Sequence, residues 1–134
     1  MELKRTNHKI IAGALLMGLA VALGAMGAHA LEKVLTPKNL ATFKTGVHYQ
    51  MLHAFGLIFL GILDKLYRDK FKIETALFTL GIILFSFNCY IYSLTNIKVF
   101  AMLIPIGGVT FIMGWLSLGL RFFKISRNYE DLSS

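Results

Sequence analysis

The sequence predicts an all-α integral membrane protein, a four-helix transmembrane bundle that forms a single domain over residues 1–134. Apolar residues make up 56% of the chain and charged residues only 16%, whereas soluble domains average roughly 45–50% apolar residues. The charged residues cluster between four long apolar runs, and a helix needs about 20 such residues to cross a bilayer. No run alternates apolar and polar residues as the strands of membrane barrels do. The composition therefore excludes a soluble domain.

The first run, residues 10–31, is predicted to be a retained transmembrane helix. Ala28-His29-Ala30 has the small-x-small pattern of a signal-peptidase site. The apolar stretch before it has about 18 residues, however, whereas the apolar core of a signal peptide has roughly 7–15. Small residues let helices approach closely in lipid, and here they recur at four-residue spacing in two sets. The sets are Ala14, Gly18 and Ala22, and Ala20, Gly24 and Ala28.

The other three runs predict helices over residues 37–64, 75–94 and 99–123. The second helix has a good start, with Thr36 as N-cap and Pro37 at the first helical position. The link between the third and fourth helices, TNIK, is short enough to make them an antiparallel pair.

The distribution of basic residues predicts the orientation. Ten of the fourteen Lys and Arg residues lie in three places: the N-terminus, the link between the second and third helices, and the C-terminus. Lys4 and Arg5 are among those at the N-terminus. Because basic residues favour the cytoplasmic side, both termini are expected in the cytoplasm and the protein in the plasma (inner) membrane. The net charge of +7 then orients helices and meets anionic lipid headgroups, and no nucleic-acid partner is expected.

Three blocks of sequence carry a family resemblance. They are Leu23, Gly24, Ala25, Gly27, Ala28, His29 and Leu31; Tyr49, Gln50, Met51 and His53; and Pro105, Ile106, Gly107, Gly108, Gly114 and Trp115. In these blocks the chain resembles a family of small bacterial inner-membrane proteins, YgdD and YwdK among them, which is classed as a domain of unknown function and has an animal transmembrane relative. It departs from the family at residues 85–88, where the usual Phe-Ser-Gly-Ser is Phe-Ser-Phe-Asn, and at Ile104, where the family has Thr. The resemblance implies four helices, a retained first helix and no assigned activity.

Polar residues on the second helix predict a cluster inside the membrane. At 100° per residue, Gln50 and His53 share one small, polar face, and polar groups in hydrocarbon usually face the bundle or a hydrated cavity. Tyr49 lies beside His53, while His29 and Glu32 end the first helix on the same side. We therefore expect these five residues to lie near one another.

Three interpretations of this cluster are open. The side chains could hydrogen-bond across the interface of the first two helices, which is the favoured interpretation, or they could handle protons or a ligand. His29 and His53 could instead bind a metal or the two axial positions of a haem, with Glu32 as a third metal ligand. The sequence has no HxxxH or CxxC spacing that would support a metal, so no cofactor is expected.

Helix packing is predicted at two sets of positions. They are Gly24, Gly27 and Ala28 in the first helix, and Pro105, Gly107, Gly108 and Gly114 in the fourth. A helical proline frees a backbone carbonyl, and glycine lets a second helix approach it, so the fourth helix is expected to pack tightly against the first. A hinge at these residues is the alternative interpretation. The charged residues 64–74, Glu74 among them, predict a solvated connection.

The sequence has no nucleophile paired with a base, no phosphate-binding glycine loop and no nucleic-acid module. The favoured hypothesis is a non-enzymatic structural or accessory protein, which associates within the lipid bilayer with copies of itself or with another membrane protein. One alternative is a transporter or channel subunit for a small solute or ion. The other is a membrane metal- or haem-binding protein that uses His29 and His53.

Overall fold

The computed structural model describes residues 7–68 and 70–133, with side chains described as far as residue 128. Over these residues the chain is helical and has no strand. The helices are α1 (His8–His29), α2 (Pro37–Leu66), α3 (Lys72–Gly81), α4 (Asn88–Thr95) and α5 (Lys98–Ser133), with a 3-10 turn at Leu31–Lys33 and a π-helical segment at Ile82–Phe87. Lys4 and Arg5, which contribute to the predicted orientation, lie outside the described residues.

Four spans are long and apolar enough to cross a membrane, which confirms the predicted fold class. They are His8–Lys33, Pro37–Leu66, Lys72–Thr95 and Lys98–Asn128. The third span joins α3, the π-helical segment and α4 into one continuous rod. The fourth helix has 36 residues and runs ten residues further than the predicted end at residue 123, through the polar C-terminal residues.

Local hydrogen bonds fix the ends of the helices. The Thr36 hydroxyl accepts a hydrogen bond from the Asn39 N–H at 3.2 Å, so Thr36 caps α2 as predicted, with Pro37 in its first turn. α4 ends at Thr95 and is capped by Asn96, whose φ of 56° is the left-handed conformation that commonly closes helices. The chain therefore reverses within two residues before α5 begins, which makes the third and fourth spans neighbours.

The spans pack as two antiparallel pairs. α1 lies against α2, with Gly13 opposite Ala54 and Gly27 opposite Phe43. α5 lies against the third span, where Gly107 approaches the backbone of Leu84 and Phe85. The expectation that the fourth helix packs tightly against the first is therefore wrong, since the two-residue reversal places the fourth span beside the third.

The π-helical segment lies where the fourth span crosses the third. A π-helix widens one turn and is common at functional sites. The Asn88 side-chain amide donates hydrogen bonds to the carbonyls of Ile83 and Leu84, both at 3.0 Å, and so satisfies backbone oxygens of the widened turn. The segment overlaps residues 85–88, the part of the third helix in which the sequence departs from the family that it resembles.

Candidate functional site

Three buried polar side chains and one exposed tryptophan form what we name the central polar cluster: Gln50, His53, Tyr90 and Trp115. Gln50 and His53 project from α2 and have exposed fractions of 0% and 1%. Tyr90 comes from α4 and Trp115 from α5. The cluster therefore joins three spans, and a hydrogen bond from Gln50 extends it to the fourth.

Gln50 uses both ends of its amide. Its Nε2 donates to the backbone oxygen of Leu16 in α1 at 2.8 Å. Its Oε1 accepts from the hydroxyl of Tyr90 in α4 at 2.8 Å. A buried amide costs free energy unless it is hydrogen-bonded, so these two bonds hold α1 and α4 in one register on α2.

His53 is held as a neutral imidazole. The indole Nε1–H of Trp115 donates to His53 Nε2 at 3.0 Å, so Nε2 carries no proton. The proton therefore lies on Nδ1, which faces the Tyr49 carbonyl at 2.8 Å. The ring also stacks on Phe111, with centroids 3.4 Å apart and an interplanar angle of 9°. Both ring nitrogens of His53 are thus occupied within the chain.

Tyr49 contributes its backbone carbonyl and its ring rather than its hydroxyl. The ring lies 4.5 Å from that of Phe85 and 6.1 Å from that of Phe111, measured between centroids. Its side chain is 37% exposed. Tyr49 therefore covers the outer side of the cluster against the surroundings of the bundle.

The structure separates His29 and Glu32 from the other predicted cluster residues. His29 is exposed at the end of α1, and Glu32 is exposed in the following 3-10 turn. Gly27 lies opposite Phe43, whereas His53 lies ten residues further along α2, which is about 15 Å at 1.5 Å per residue. The predicted group is therefore divided, and the pair of histidines proposed as haem or metal ligands is not brought together.

The described residues also contain no group of three His, Cys, Asp or Glu side chains placed to hold a metal ion. His53 would have to lose its bond to Trp115 before Nε2 could coordinate a metal. The geometry of the central polar cluster thus fits hydrogen bonding between helices, and it leaves no nitrogen lone pair of His53 facing a cavity.

Sequence reasoning missed the two partners that complete the cluster. Trp115 belongs to the third resemblance block, and Tyr90 lies on the same side of the third helix as Ser86 and Ser93. The available signal was chemical: a buried histidine and a buried amide both need partners, and the indole N–H of Trp115 and the phenol of Tyr90 are donors on the facing helices.

The predicted packing residues differ in how closely they are approached. A methyl group added at Gly27 would lie 3.2 Å from the Phe43 ring, and one at Gly114 would lie 2.7 Å from the Phe78 ring. At Gly107 it would meet backbone atoms of Phe85, whereas at Gly24 and Gly108 the nearest atoms are at ordinary contact distances of 3.4 and 3.7 Å. Ala28 and Pro105 are exposed.

A second polar group lies at the end of the bundle where α2 ends and the third span begins, which we name the charged end. Lys9 forms an ion pair with Asp64 at 2.8 Å, and Asp64 also accepts from the Phe71 N–H at 3.0 Å. Glu74 is 1% exposed, and its Oε1 accepts from the Ser117 hydroxyl at 2.8 Å. The predicted solvated connection is wrong for Glu74, because the third span already begins at Lys72 and turns Glu74 toward α5.

The fold and these clusters define a four-span helical membrane protein with a hydrogen-bonded polar centre. The profile of the family described as "Protein of unknown function (DUF423)" matches residues 23–108. The chain belongs to this family, which confirms the resemblance seen in its sequence blocks. No solved structure matches the chain.

Named relatives cover nearly the whole chain. UPF0382 membrane protein SSP2132 of Staphylococcus saprophyticus is 42% identical over 116 residues, which make up 87% of this chain and 97% of that protein. UPF0382 membrane protein YwdK of Bacillus subtilis is 42% identical over 117 residues, or 86% of this chain and 95% of YwdK. A UPF0382 membrane protein of Haemophilus influenzae is 37% identical over 105 residues, or 78% of this chain and 84% of that protein. The chain is thus similar to membrane proteins from several bacteria.

Proposed function

We propose that this protein is a non-enzymatic accessory protein of the plasma (inner) membrane, with both termini in the cytoplasm. It acts by association, and a helix of another membrane protein or of a second copy packs against its first span. The observation that carries the proposal is an open, small-residue face on α1, which we name the outer α1 face and define by Ala14, Gly18, Ala22 and Ala25.

The outer α1 face lies opposite the face of α1 that the bundle uses. α2 covers the side of α1 that carries Gly13, Ala20 and Gly27, the buried positions of the helix. At 100° per residue, Gly18 lies about 160° from Ala20 around the helix. The four residues of the outer face are exposed, and a methyl group added at Gly18 would have no atom of the described residues within 4 Å.

Small residues on such a face favour a helix partner over lipid. In a bilayer the hydrophobic effect does not drive helices together, so close packing between small residues supplies much of the attraction. A face that meets only acyl chains has no need of glycine, which weakens a helix by about 1 kcal/mol relative to alanine. Among the described residues neither Gly18 nor Gly119 has a packing contact. Gly18 differs because Ala14 and Ala22 lie one turn away on either side, whereas large side chains flank Gly119, so a second helix can approach closely only at Gly18.

The central polar cluster supports association over the two alternatives. A solute pathway or a haem site needs polar groups that face a cavity with unused hydrogen-bonding or coordinating capacity. Gln50 uses both ends of its amide and His53 both ring nitrogens on partners in this chain. The cluster thus serves to fix the arrangement of the four spans that presents α1.

A pair of matched glycine substitutions tests the proposal. Gly18 on α1 and Gly119 on α5 both have open space around them, so Gly18→Leu and Gly119→Leu should both fold. Membranes from cells that express each variant are solubilised in mild detergent, and the size of the native complex is compared with wild type. We expect Gly18→Leu to reduce the complex and Gly119→Leu to preserve it.

The comparison also separates association from folding. Gly13→Leu places its side chain against the Ala54 carbonyl oxygen, 2.6 Å from the position of the new Cβ, so it should lower the thermal stability of the bundle. Gly18→Leu should leave that stability unchanged. A complex of wild-type size in the Gly18→Leu variant would contradict the proposal.

A further inference from the structure

A groove at the charged end runs between the third and fourth spans on the outside of the bundle. It has a volume of about 460 Å³, and we name it the Glu74 groove. Glu74, Ser117, Arg121 and Lys124 line its polar part. Its apolar part includes Leu116 and Leu120, which are exposed on the lipid-facing side of α5. The groove thus has the amphipathic character of a lipid: charged at one end and apolar along its length.

Glu74 has an unmet hydrogen bond at this site. Its Oε1 accepts from Ser117 at 2.8 Å and lies 3.7 Å from Nε of Arg121. Its Oε2 is buried and has no hydrogen-bond partner among the described residues. Buried polar atoms are nearly always hydrogen-bonded, and a carboxylate oxygen takes only donors. The group that would satisfy Oε2 is an N–H or O–H donor, and Glu74 lines the groove through which a ligand could bring one.

Two cations lie beside this acceptor. Arg121 is held in place by its ion pair with Glu74, by a hydrogen bond that its Nη1 donates to the Lys70 carbonyl oxygen at 3.2 Å, and by its position over the Phe71 ring, 4.7 Å from the centroid. Lys124 is exposed one turn further along α5. Guanidinium and ammonium groups are the usual partners of phosphate in proteins, so the groove offers partners for a phosphate next to an acceptor for a donor.

We propose that the Glu74 groove binds one phospholipid whose headgroup carries a hydrogen-bond donor beside its phosphate. The phosphate lies against Arg121 and Lys124, the donor bonds to Oε2 of Glu74, and an acyl chain follows Leu116 and Leu120. The donor is the ammonium of phosphatidylethanolamine or a glycerol hydroxyl of phosphatidylglycerol. Phosphatidylcholine has the same phosphate but no such donor. The site is independent of the outer α1 face.

Native mass spectrometry of the purified full chain tests this site. The protein is offered phosphatidylethanolamine, phosphatidylglycerol and phosphatidylcholine with identical acyl chains, and the bound fraction of each is measured. One hydrogen bond to a charged group corresponds to about a tenfold change in affinity. We therefore expect phosphatidylethanolamine, phosphatidylglycerol or both to be retained about tenfold more strongly than phosphatidylcholine, and the better-retained lipid identifies the donor.

Three variants locate the binding. Glu74→Met has a similar length and no acceptor, so it should bring retention of all three lipids to the same level. Lys124→Ala should weaken the retention of all three lipids about fivefold, as expected for one basic residue near phosphate. Because Lys124 is exposed, this variant keeps the fold even if Glu74→Met does not. Lys65→Ala removes an exposed lysine of the charged end outside the groove and should change nothing. Equal retention of the three lipids by wild type, or equal behaviour of Lys124→Ala and Lys65→Ala, would overturn the proposal.

Discussion

The hydrogen bond between Tyr90 and Gln50 gives the sharpest prediction about how the spans are held together. Tyr90→Phe removes one oxygen atom and preserves the ring, which packs 4.9 Å from the Phe43 ring between centroids. The lost bond is 2.8 Å long, and Gln50 at its other end is fully buried. The substitution leaves Oε1 of Gln50 without its donor, and no water in the bilayer core replaces it.

The expected loss of unfolding free energy follows from that burial. Hydrogen bonds between transmembrane helices average about 0.6 kcal/mol and reach roughly 1.7 kcal/mol. Because the amide is fully buried and the phenol nearly so, we expect Tyr90→Phe to cost about 1–1.7 kcal/mol. Gln50→Leu removes this bond and the bond to Leu16, so it should cost more.

A double-mutant cycle isolates the bond. The cycle compares wild type, Tyr90→Phe, Gln50→Leu and the double variant by reversible unfolding in mixed micelles. The coupling free energy should be about 1 kcal/mol, because Tyr90→Phe has no hydrogen bond left to lose in a protein that already lacks Gln50. Tyr92→Phe, half-buried on the same helix and without a hydrogen bond to the described residues, is the control and should be near neutral. A Tyr90→Phe protein as stable as wild type, or a coupling of zero, would refute the reasoning.

Two further predictions test the packing and the histidine. Gly107→Ala should destabilise the bundle by about 1–3 kcal/mol, because the new methyl group meets backbone atoms of Phe85. Gly108→Ala should be near neutral, because the nearest atom to its methyl group is 3.7 Å away. Thermal unfolding compares the two variants, and equal stability would contradict the close approach of the fourth span to the third. In ¹⁵N spectra of labelled protein, His53 should show the tautomer with the proton on Nδ1, and Trp115→Phe should change that signal because its indole N–H holds Nε2 as an acceptor. An unprotonated Nδ1 in wild type would rule out the assigned hydrogen bonds.

The sequence was sufficient to predict the four spans and the start of α2. Each apolar run is long enough to cross a bilayer, and the cap at Thr36 depends only on residues adjacent in the chain. The π-helical segment could not be predicted in the same way. It lies where the backbone of the third span meets Gly107, so it depends on a contact between residues about 22 positions apart in the sequence.

The composition of the polar cluster was only partly predictable. Helical periodicity correctly placed Gln50 and His53 on the buried face of α2, because a face depends on the 100° step alone. The height of each residue along the bundle depends on how two helices are aligned. The short linker sets the end of α1 beside the first turns of α2, where Gly27 lies opposite Phe43. This end is far from His53, and periodicity carries no information about that alignment.

Glu74 shows a related limit of charge patterns. Among the charged residues 64–74, composition favours a solvated link, and most of these side chains are indeed exposed. One turn of helix at the start of the third span is enough to direct Glu74 toward α5. There its carboxylate accepts a hydrogen bond from Ser117 and forms an ion pair with Arg121. These partners are more than forty residues away and appear as ordinary positions on an apolar helix.

The central claim, that the outer α1 face binds another helix, is tested most directly by photo-cross-linking in native membranes. A photoreactive amino acid is introduced at Gly18 and, as the matched control, at Gly119, since both positions have open space. After irradiation, the account predicts a discrete protein adduct from Gly18, repeated at Ala14 and Ala22 on the same face, and no adduct from Gly119. Absence of a protein adduct from Gly18, or the same adducts from both glycines, would contradict it.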